Sequence, residues 1–233
     1  MTLSSGQYYP RIGPCGWPYD RTPYLGQLQS AQRQMALLCS DLNDIFTSIE
    51  PTVSNLAVYG HKLRNLLLVA STEFEAQCVG VLVANNVQPE GRHFNTNDYI
   101  KLLPVFKLDH YVVGLRMFPG YPAIQPFNLW DKGSPTKSLP WYDAYNQTKH
   151  NREANFHFAT LENVILAVAG CFCMFFAQTF NRNFLNDQRV DLFQINKAPS
   201  IHNDAIYIEC YGDTLTAVDY PFHSPPSGQN SGG

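Results

Sequence analysis

Apolar positions in the first half of the chain recur at helical spacing. Over residues 24–49 they form one ridge, made of Leu28, Met35, Leu38, Leu42 and Ile45. A second ridge spans residues 63–81, and Ser54 or Asn55 is a suitable N-cap for the helix that carries it. Pro51 lies between the two segments. The pattern therefore predicts two long helices, ending near residues 49 and 85, packed as an antiparallel hairpin.

The second half of the chain predicts two more helices. The third begins at Ser138 or Leu139, with Pro140 in the first turn, where its missing N–H is not needed. If it continues to residue 157, it is a single long helix. The fourth starts near Thr160 and reaches residue 177, with no charged residue after position 162. Because this apolar run is shorter than about twenty residues, a buried central helix is favoured over a membrane span.

Between and after these helices the pattern is less regular. Asn97 is a candidate cap for a short helix over 98–103, and residues 111–118 have strand-like composition. Five prolines then mark a long loop that could cover a site or pack on the surface. Segments 206–211 and 215–220 predict a hairpin around Gly212 and Asp213. The predicted organisation is an aromatic, proline-rich arm (1–23), a helical bundle (24–180) with an inserted loop region (104–140), a β-rich extension (181–223) and a disordered tail (224–233).

Composition narrows the functional classes. With 45% hydrophobic and 13% aromatic residues, the 233-residue chain can bury a sizeable core, which excludes global disorder. A net charge of -3 is not that of a bulk nucleic-acid binder, although a local basic site is compatible with it. The N-terminus has no secretory signal, which predicts a cytoplasmic protein without membrane association. The six cysteines form no C-x-x-C pair, so buried, reduced thiols are expected, with no metal site and no cofactor.

The segment 141–157 carries most of the candidate chemistry, with two His, one Lys, one Arg and three Asn. On a continuous helix, Asn146, His150, Glu153 and His157 would share one face, with Lys149 and Arg152 on the adjoining stripe. Histidines that titrate near neutrality, next to fixed cations that hold phosphate, are the minimum for metal-free cleavage of a phosphodiester beside its 2'-hydroxyl. A solvated helix face with a structural polar network explains the same spacing.

Two carboxylates on the second helix are candidates to support that segment. Glu73 and Glu75 interrupt an apolar run, so at least one should point inward. We expect one of them to meet Lys149, His150 or Arg152 across the helix interface, because a buried charge is rarely left unpaired. Such a pair would fit a structural salt bridge equally well.

The chain resembles the HEPN superfamily of compact helical domains. The resemblance rests on Arg64-Asn-Leu-Leu-Leu-Val-Ala-Ser-Thr-Glu-Phe-Glu75 and on Tyr145-Asn-x-x-Lys-His-x-Arg152, which precedes the apolar helix. Arg152 and His157 also match the family's R-x(4-6)-H spacing, and a polar residue, Glu153, follows the Arg. No Arg stands four to six residues before His150. The resemblance covers residues 24–180.

This resemblance implies a mainly α, antiparallel helical bundle, here with a small β-rich C-terminal extension. It also implies an RNase site formed across a homodimer, in a bacterial toxin or phage-defence setting where the partner is an antitoxin. A nearer similarity, to a group of bacterial proteins sharing the sequence from Ser138 to His150, brings no assigned activity.

The leading hypothesis from the sequence is a HEPN-like protein that acts on or binds RNA, with no cofactor. The predicted catalytic residues are His150, Arg152 and His157. Asn146 and Lys149 would hold substrate, and the supporting residues would be Glu73, Glu75, Tyr145 and Glu153. The alternative is a non-catalytic protein-interaction module whose polar segment is structural and whose Trp- and Pro-rich loops bind a partner.

Overall fold

The computed structural model describes residues 9–13, 22–179, 191–201, 208–210 and 213–215. The protein is mainly helical, as predicted. Its helices are α1 (Leu25–Phe46), α2 (His61–Ala84), α3 (Thr96–Tyr99), α4 (Leu102–Phe106), α5 (Pro140–His150), α6 (Arg152–Asn155) and α7 (Leu161–Thr179). Short 3-10 turns occupy Thr22–Tyr24, Val53–Asn55, Leu108–His110 and Phe156–Phe158. The predicted tail and most of the predicted arm lie outside the described residues.

Helix α7 is the centre of the bundle. It packs against α1, α2 and α5, and every residue from Ala167 to Thr179 is buried. Its sequence is apolar on all sides because neighbours surround it on all sides. Both α2 and α7 are long and apolar enough to cross a membrane by composition alone, but 83% of the most apolar α7 window is buried inside this fold. The predicted buried central helix is confirmed.

The start of α2 differs from the prediction. Ser54 and Asn55 lie in a 3-10 turn, and α2 begins at His61, after Gly60. The intervening backbone is extended and pairs with the segment before α7: Leu161 N–H donates to Val58 O (2.8 Å), and Tyr59 bridges Thr160. This tertiary pairing satisfies backbone groups that a longer helix would have paired internally.

The N-cap of the short helix α3 lies two residues before the predicted one. Asn95, not Asn97, is the N-cap, and it forms a capping box with Asp98. Asn97 N–H donates to the Asn95 side chain at 2.9 Å. Asp98 is fully buried and also accepts from Glu90 N–H, so its carboxylate ties the preceding loop to the helix.

In the part of the chain that the structure describes, the strands form two small sheets. The strand predicted near residues 111–118 is confirmed as β1 (Val112–Leu115), which pairs antiparallel with β2 (Phe193–Lys197). A second sheet contains β3 (Ser200–Ile201), β4 (Ile208–Cys210) and β5 (Asp213–Leu215) in the order β3-β4-β5. Cys210 pairs with Asp213, which agrees with the predicted hairpin, although most of its second predicted strand lies outside the described residues.

The proline-rich loop packs into the core. Trp130 is 4% exposed and donates to Pro135 O (2.8 Å), while Trp141, at the start of α5, is fully buried and donates to Pro126 O (3.0 Å). Both rings contact Phe74 of α2. Trp141 also approaches Gly170 so closely that a Cβ there would lie 3.1 Å from its ring. These tryptophans are structural, so they are not available to bind a protein partner.

Candidate functional site

The predicted continuous helix over residues 140–157 is wrong, because the chain breaks at Asn151. Helix α5 ends at His150, and Asn151 adopts an extended backbone (φ -141°, ψ 77°). Its side chain accepts from Ala154 N–H at 3.3 Å and thereby caps α6. Asn is favoured at such caps because its side chain substitutes for a backbone acceptor. Asn146, His150, Glu153 and His157 therefore do not share one face of a single helix.

Most of the predicted site residues are on the surface. Asn146 is half-buried, whereas His150, Arg152, Glu153 and His157 are exposed. Within the described part of the chain, the side chains of Asn146, His150, Arg152 and Glu153 make no hydrogen bond or ion pair. The His157 ring lies against its neighbour Phe158, with centroids 4.1 Å apart. Other side chains of the segment do bond within it, since Gln147 donates to Asp143 (2.7 Å) and Asn155 donates to Gln147 O (3.3 Å). The predicted site residues named above are therefore not part of an internally bonded network in the described residues.

Arg64 of α2 contacts this segment at the end of α5. Its Nη2 donates to Thr148 O at the end of α5 (3.2 Å), and its Nε is buried without a hydrogen-bond partner among the described residues. A cation is favoured at this position because the last carbonyls of a helix carry partial negative charge. We call the surface formed by Arg64, Lys149, His150, Arg152 and His157 the basic end.

Three aromatic rings lie beside the basic end. Phe156 contacts Tyr59 edge-on (centroids 5.6 Å apart, 90°) and lies against His61 (4.7 Å, 38°). His61 and Arg64 are three residues apart on α2 and so face the same way. Tyr59 is 52% exposed. The sequence pattern did not identify this cluster, because its members come from two segments almost a hundred residues apart.

Glu75 is held by a tyrosine and not by a cation. Tyr142 O–H donates to Glu75 Oε1 at 2.5 Å, while Lys149 Nζ donates to the hydroxyl oxygen of Tyr145 at 2.8 Å. Burial and the Glu75 carboxylate raise the pKa of Tyr142. The hydrogen bond to Tyr145 raises the pKa of Lys149, and Glu75 adds a smaller electrostatic effect in the same direction. Among the described residues, Glu75 therefore makes no direct pair with a basic side chain of this segment, contrary to the expectation. Glu75 and Lys149 each bond to a tyrosine hydroxyl instead.

Glu73 belongs to a different structure, which the sequence analysis missed. Gln77 Nε2 donates to Glu73 Oε1 (3.0 Å), Gln178 Nε2 donates to Gln77 Oε1 (3.2 Å), and Arg11 donates twice to Gln178 Oε1 (3.1 and 2.6 Å). We call this series the buried polar chain. Burial raises the pKa of Glu73, and its hydrogen bond with Gln77 and the charge of Arg11 oppose that effect. Arg11 itself is 6% exposed.

The cysteines that the structure describes with side chains are free and buried: Cys39, Cys78, Cys171 and Cys173. Burial raises the pKa of each thiol, to about 12 for Cys39. In the described ranges, no three His, Cys, Asp or Glu side chains come together as metal ligands. Cys15 lies outside these ranges.

A groove of about 640 Å³ lies away from the predicted site residues, between α1 and the end of β1. Its lining includes Arg33, Leu37, Met117 and Asp191. Leu37 is 58% exposed and Met117 is 72% exposed. The groove therefore combines exposed apolar side chains with polar ones, including one cation and one carboxylate.

Comparison of the chain with protein-family models, with curated proteins and with solved structures finds no match.

Proposed function

We propose that this protein binds RNA through the basic end. The observation that carries the proposal is the position of Lys149, His150 and Arg152 at the break between α5 and α6. There they are exposed, next to Arg64 from α2. Fixed cations with unused donors are suited to phosphate oxygens, and such contacts supply most of the sequence-independent affinity for nucleic acids.

For cleavage, we infer that two copies of this surface act together. A general base must lie within hydrogen-bond reach of the 2'-hydroxyl while a cation meets the developing charge on phosphorus. An exposed surface on one copy leaves the far side of the phosphodiester in water. In keeping with the HEPN resemblance, we propose that two copies of the basic end face each other in a homodimer. Arg152, His150 and His157 would then surround one phosphodiester without a metal ion.

The experiment for binding uses fluorescence anisotropy with a labelled mixed RNA pool and the purified protein. We expect the double variant Lys149→Ala/Arg152→Ala to bind at least about tenfold more weakly. Its plot of log affinity against log salt should be shallower by about 1.4, because each lost contact with single-stranded RNA removes about 0.7 from the slope. Lys132→Ala/Lys137→Ala is the matched control, since both lysines are exposed and lie in the proline-rich loop.

The experiment for cleavage incubates the same RNA with the protein in EDTA. Wild type should cleave, and the variants Arg152→Ala and His150→Ala/His157→Ala should not. Light scattering should show a dimer, and specific activity should fall on dilution below the concentration at which the dimer dissociates. Binding without cleavage would restrict the function to RNA binding.

The second candidate is the non-catalytic protein-interaction module, favoured by the exposed apolar side chains of Leu37 and Met117 in the groove. If the folded wild type bound no RNA, the groove would become the candidate functional surface. Its test would be co-purification with a co-expressed partner, with Leu37→Glu expected to abolish it. Arg33→Ala is a milder control at the same groove, since it removes a charge and adds none.

A further inference from the structure

We propose that Tyr59, His61 and Phe156 form a stacking site for an unpaired nucleobase beside the basic end. This inference rests on the proposed RNA binding. It adds a second component of recognition, in which an aromatic surface takes the base and the neighbouring cations hold the phosphate.

The three rings form one cluster through Phe156. Phe156 is half-buried and fixed between Tyr59 and His61, with centroid distances of 5.6 and 4.7 Å. Tyr59 and His61 are both exposed, so each presents ring surface that Phe156 does not cover. A ring held by others costs little side-chain entropy when a ligand stacks on it.

Tertiary hydrogen bonds fix the backbone that carries Tyr59. Tyr59 bridges Thr160, and Val58 O accepts from Leu161 N–H at 2.8 Å, so the segment before α2 is tied to the segment before α7. Phe156 stands in the 3-10 turn directly after α6. The cluster is thus positioned by tertiary hydrogen bonds that do not depend on a ligand.

The aromatic cluster lies near positively charged side chains. His61 lies one helical turn before Arg64, whose guanidinium reaches Thr148 O next to Lys149. Phe156 follows Arg152 by four residues. An exposed aromatic cluster bordered by fixed cations matches a nucleotide, which is a flat π-system joined to an anion. It matches a purely apolar partner less well, because docking would bury the cations.

The ligand class that follows is an unpaired base. Bases inside a duplex are stacked on one another and cannot lie on a protein ring, whereas bases in single strands, loops and ends can. A paired RNA helix would still meet the cations through its phosphates, but it would gain nothing from Tyr59. We therefore expect a preference for unpaired segments that depends on the rings and persists at high salt.

The test measures affinity for a single-stranded RNA oligonucleotide and for an abasic oligonucleotide of the same length. Tyr59→Ala should weaken binding of the base-bearing oligonucleotide at least about fivefold and leave the abasic one unchanged. Tyr59→Phe should behave as wild type, because the ring and not the hydroxyl stacks. Val53→Ala is the control, since Val53 is a 68% exposed apolar residue near Tyr59 in sequence. Single 2-aminopurine substitutions should be quenched on binding to wild type but not to Tyr59→Ala.

The outcomes separate the two proposals. If wild type binds RNA but Tyr59→Ala has no effect, or weakens both oligonucleotides equally, the stacking site is refuted and RNA binding at the basic end stands. If Tyr59→Ala acts as expected while Lys149→Ala/Arg152→Ala has no effect, the phosphate-binding role is refuted. If folded wild type binds neither oligonucleotide, both proposals are refuted.

Discussion

The buried polar chain and the basic end are both rich in polar side chains, yet they are built in opposite ways. In the buried chain, Arg11, Gln178, Gln77 and Glu73 are linked by successive hydrogen bonds between α2, α7 and the N-terminal segment. In the basic end, His150 and Arg152 make no side-chain hydrogen bond within the described residues. Polar groups removed from water must be paired to avoid a large penalty, whereas exposed ones need only water. The comparison indicates which cluster stabilises the fold and which is available to a ligand.

The backbone at Arg11 has an unusual conformation that its surroundings hold in place. Arg11 adopts a positive φ of 61°, which is unusual for a residue with a side chain. Gly80 of α2 leaves the space that its guanidinium occupies, and Asn85 donates to Pro10 O at 2.9 Å. The N-terminal segment is therefore anchored to the bundle through residues 10 and 11.

The largest expected effect is the loss of Arg11. Arg11→Ala removes both donors to Gln178 and the positive charge near Glu73, so buried polar atoms lose their partners. We expect the free energy of unfolding to fall by about 3 kcal/mol, measured by chemical denaturation. Arg33→Ala, which removes an exposed Arg from α1, is the control and should change it by less than about 0.5 kcal/mol. Equal effects of the two variants would show that Arg11 stabilises the fold no more than an exposed arginine does.

A smaller effect is expected at Gly80, where an added Cβ would overlap the Arg11 guanidinium. Gly80→Ala should destabilise the protein by about 1–2 kcal/mol, because the guanidinium must leave its place beside Gln178. In the Arg11→Ala background the same change should become neutral or stabilising, since Ala is the better helix former by about 1 kcal/mol. A double-mutant cycle in chemical denaturation measures this difference. Additive effects would show that Arg11 does not occupy the space beside Gly80.

The ionisation of Glu73 should make the free energy of unfolding depend on pH. Burial is the main cause that raises its pKa in the folded protein, so the folded state binds the proton more tightly than the unfolded state. Its contribution to stability is therefore fully present below the unfolded pKa, and it is lost as pH rises through the folded pKa. Glu73→Gln keeps an acceptor for Gln77 but cannot ionise. Relative to wild type, its free energy of unfolding should increase with pH across that window.

The matched control for this pH dependence is Glu153→Gln, at an exposed carboxylate. The difference between this variant and wild type should stay flat over the same pH range. Parallel pH profiles for wild type and Glu73→Gln would rule out a buried, ionisable Glu73.

The smallest expected effect on stability is at the basic end. Arg152→Ala and His157→Ala should each change the free energy of unfolding by less than about 0.5 kcal/mol, because exposed side chains that make no hydrogen bond or ion pair add little to the fold. The same variants should weaken RNA binding. Thermal unfolding and anisotropy on one preparation measure both quantities. A large loss of stability would assign these side chains a structural role and remove the reason to propose a ligand.

Some features of the fold were predictable because they depend on local pattern. The ridge from Leu28 to Ile45 correctly predicted α1, and Pro140 in a first turn correctly predicted the start of α5. The uncharged run after position 162 correctly predicted that α7 is buried. In each case the side chains that define the helix repeat within one or two turns. The HEPN-like identity of the bundle was inferred from short motifs and stays a prediction.

Other features depended on contacts that no local pattern encodes. The apolar and polar periods continue through residues 140–157, but Asn151 uses its side chain to cap α6 and ends α5. The start of α2 shifted to His61 because the segment before it pairs with residues 160–162. In both places a side-chain or tertiary hydrogen bond replaced one that the helix would have made.

By itself, the sequence determined the class of fold, the helices with strong apolar periodicity and the segment where fixed cations and histidines concentrate. Only the tertiary structure decided which polar groups are paired. It linked the buried Arg11 to the half-buried Glu73 in one connected chain, held Glu75 with Tyr142, and left His150 and Arg152 exposed to water. The physical reason is that burial and partnership depend on which distant segments meet. A side chain's hydrogen-bonding capacity is present in the sequence, but its use is settled by packing.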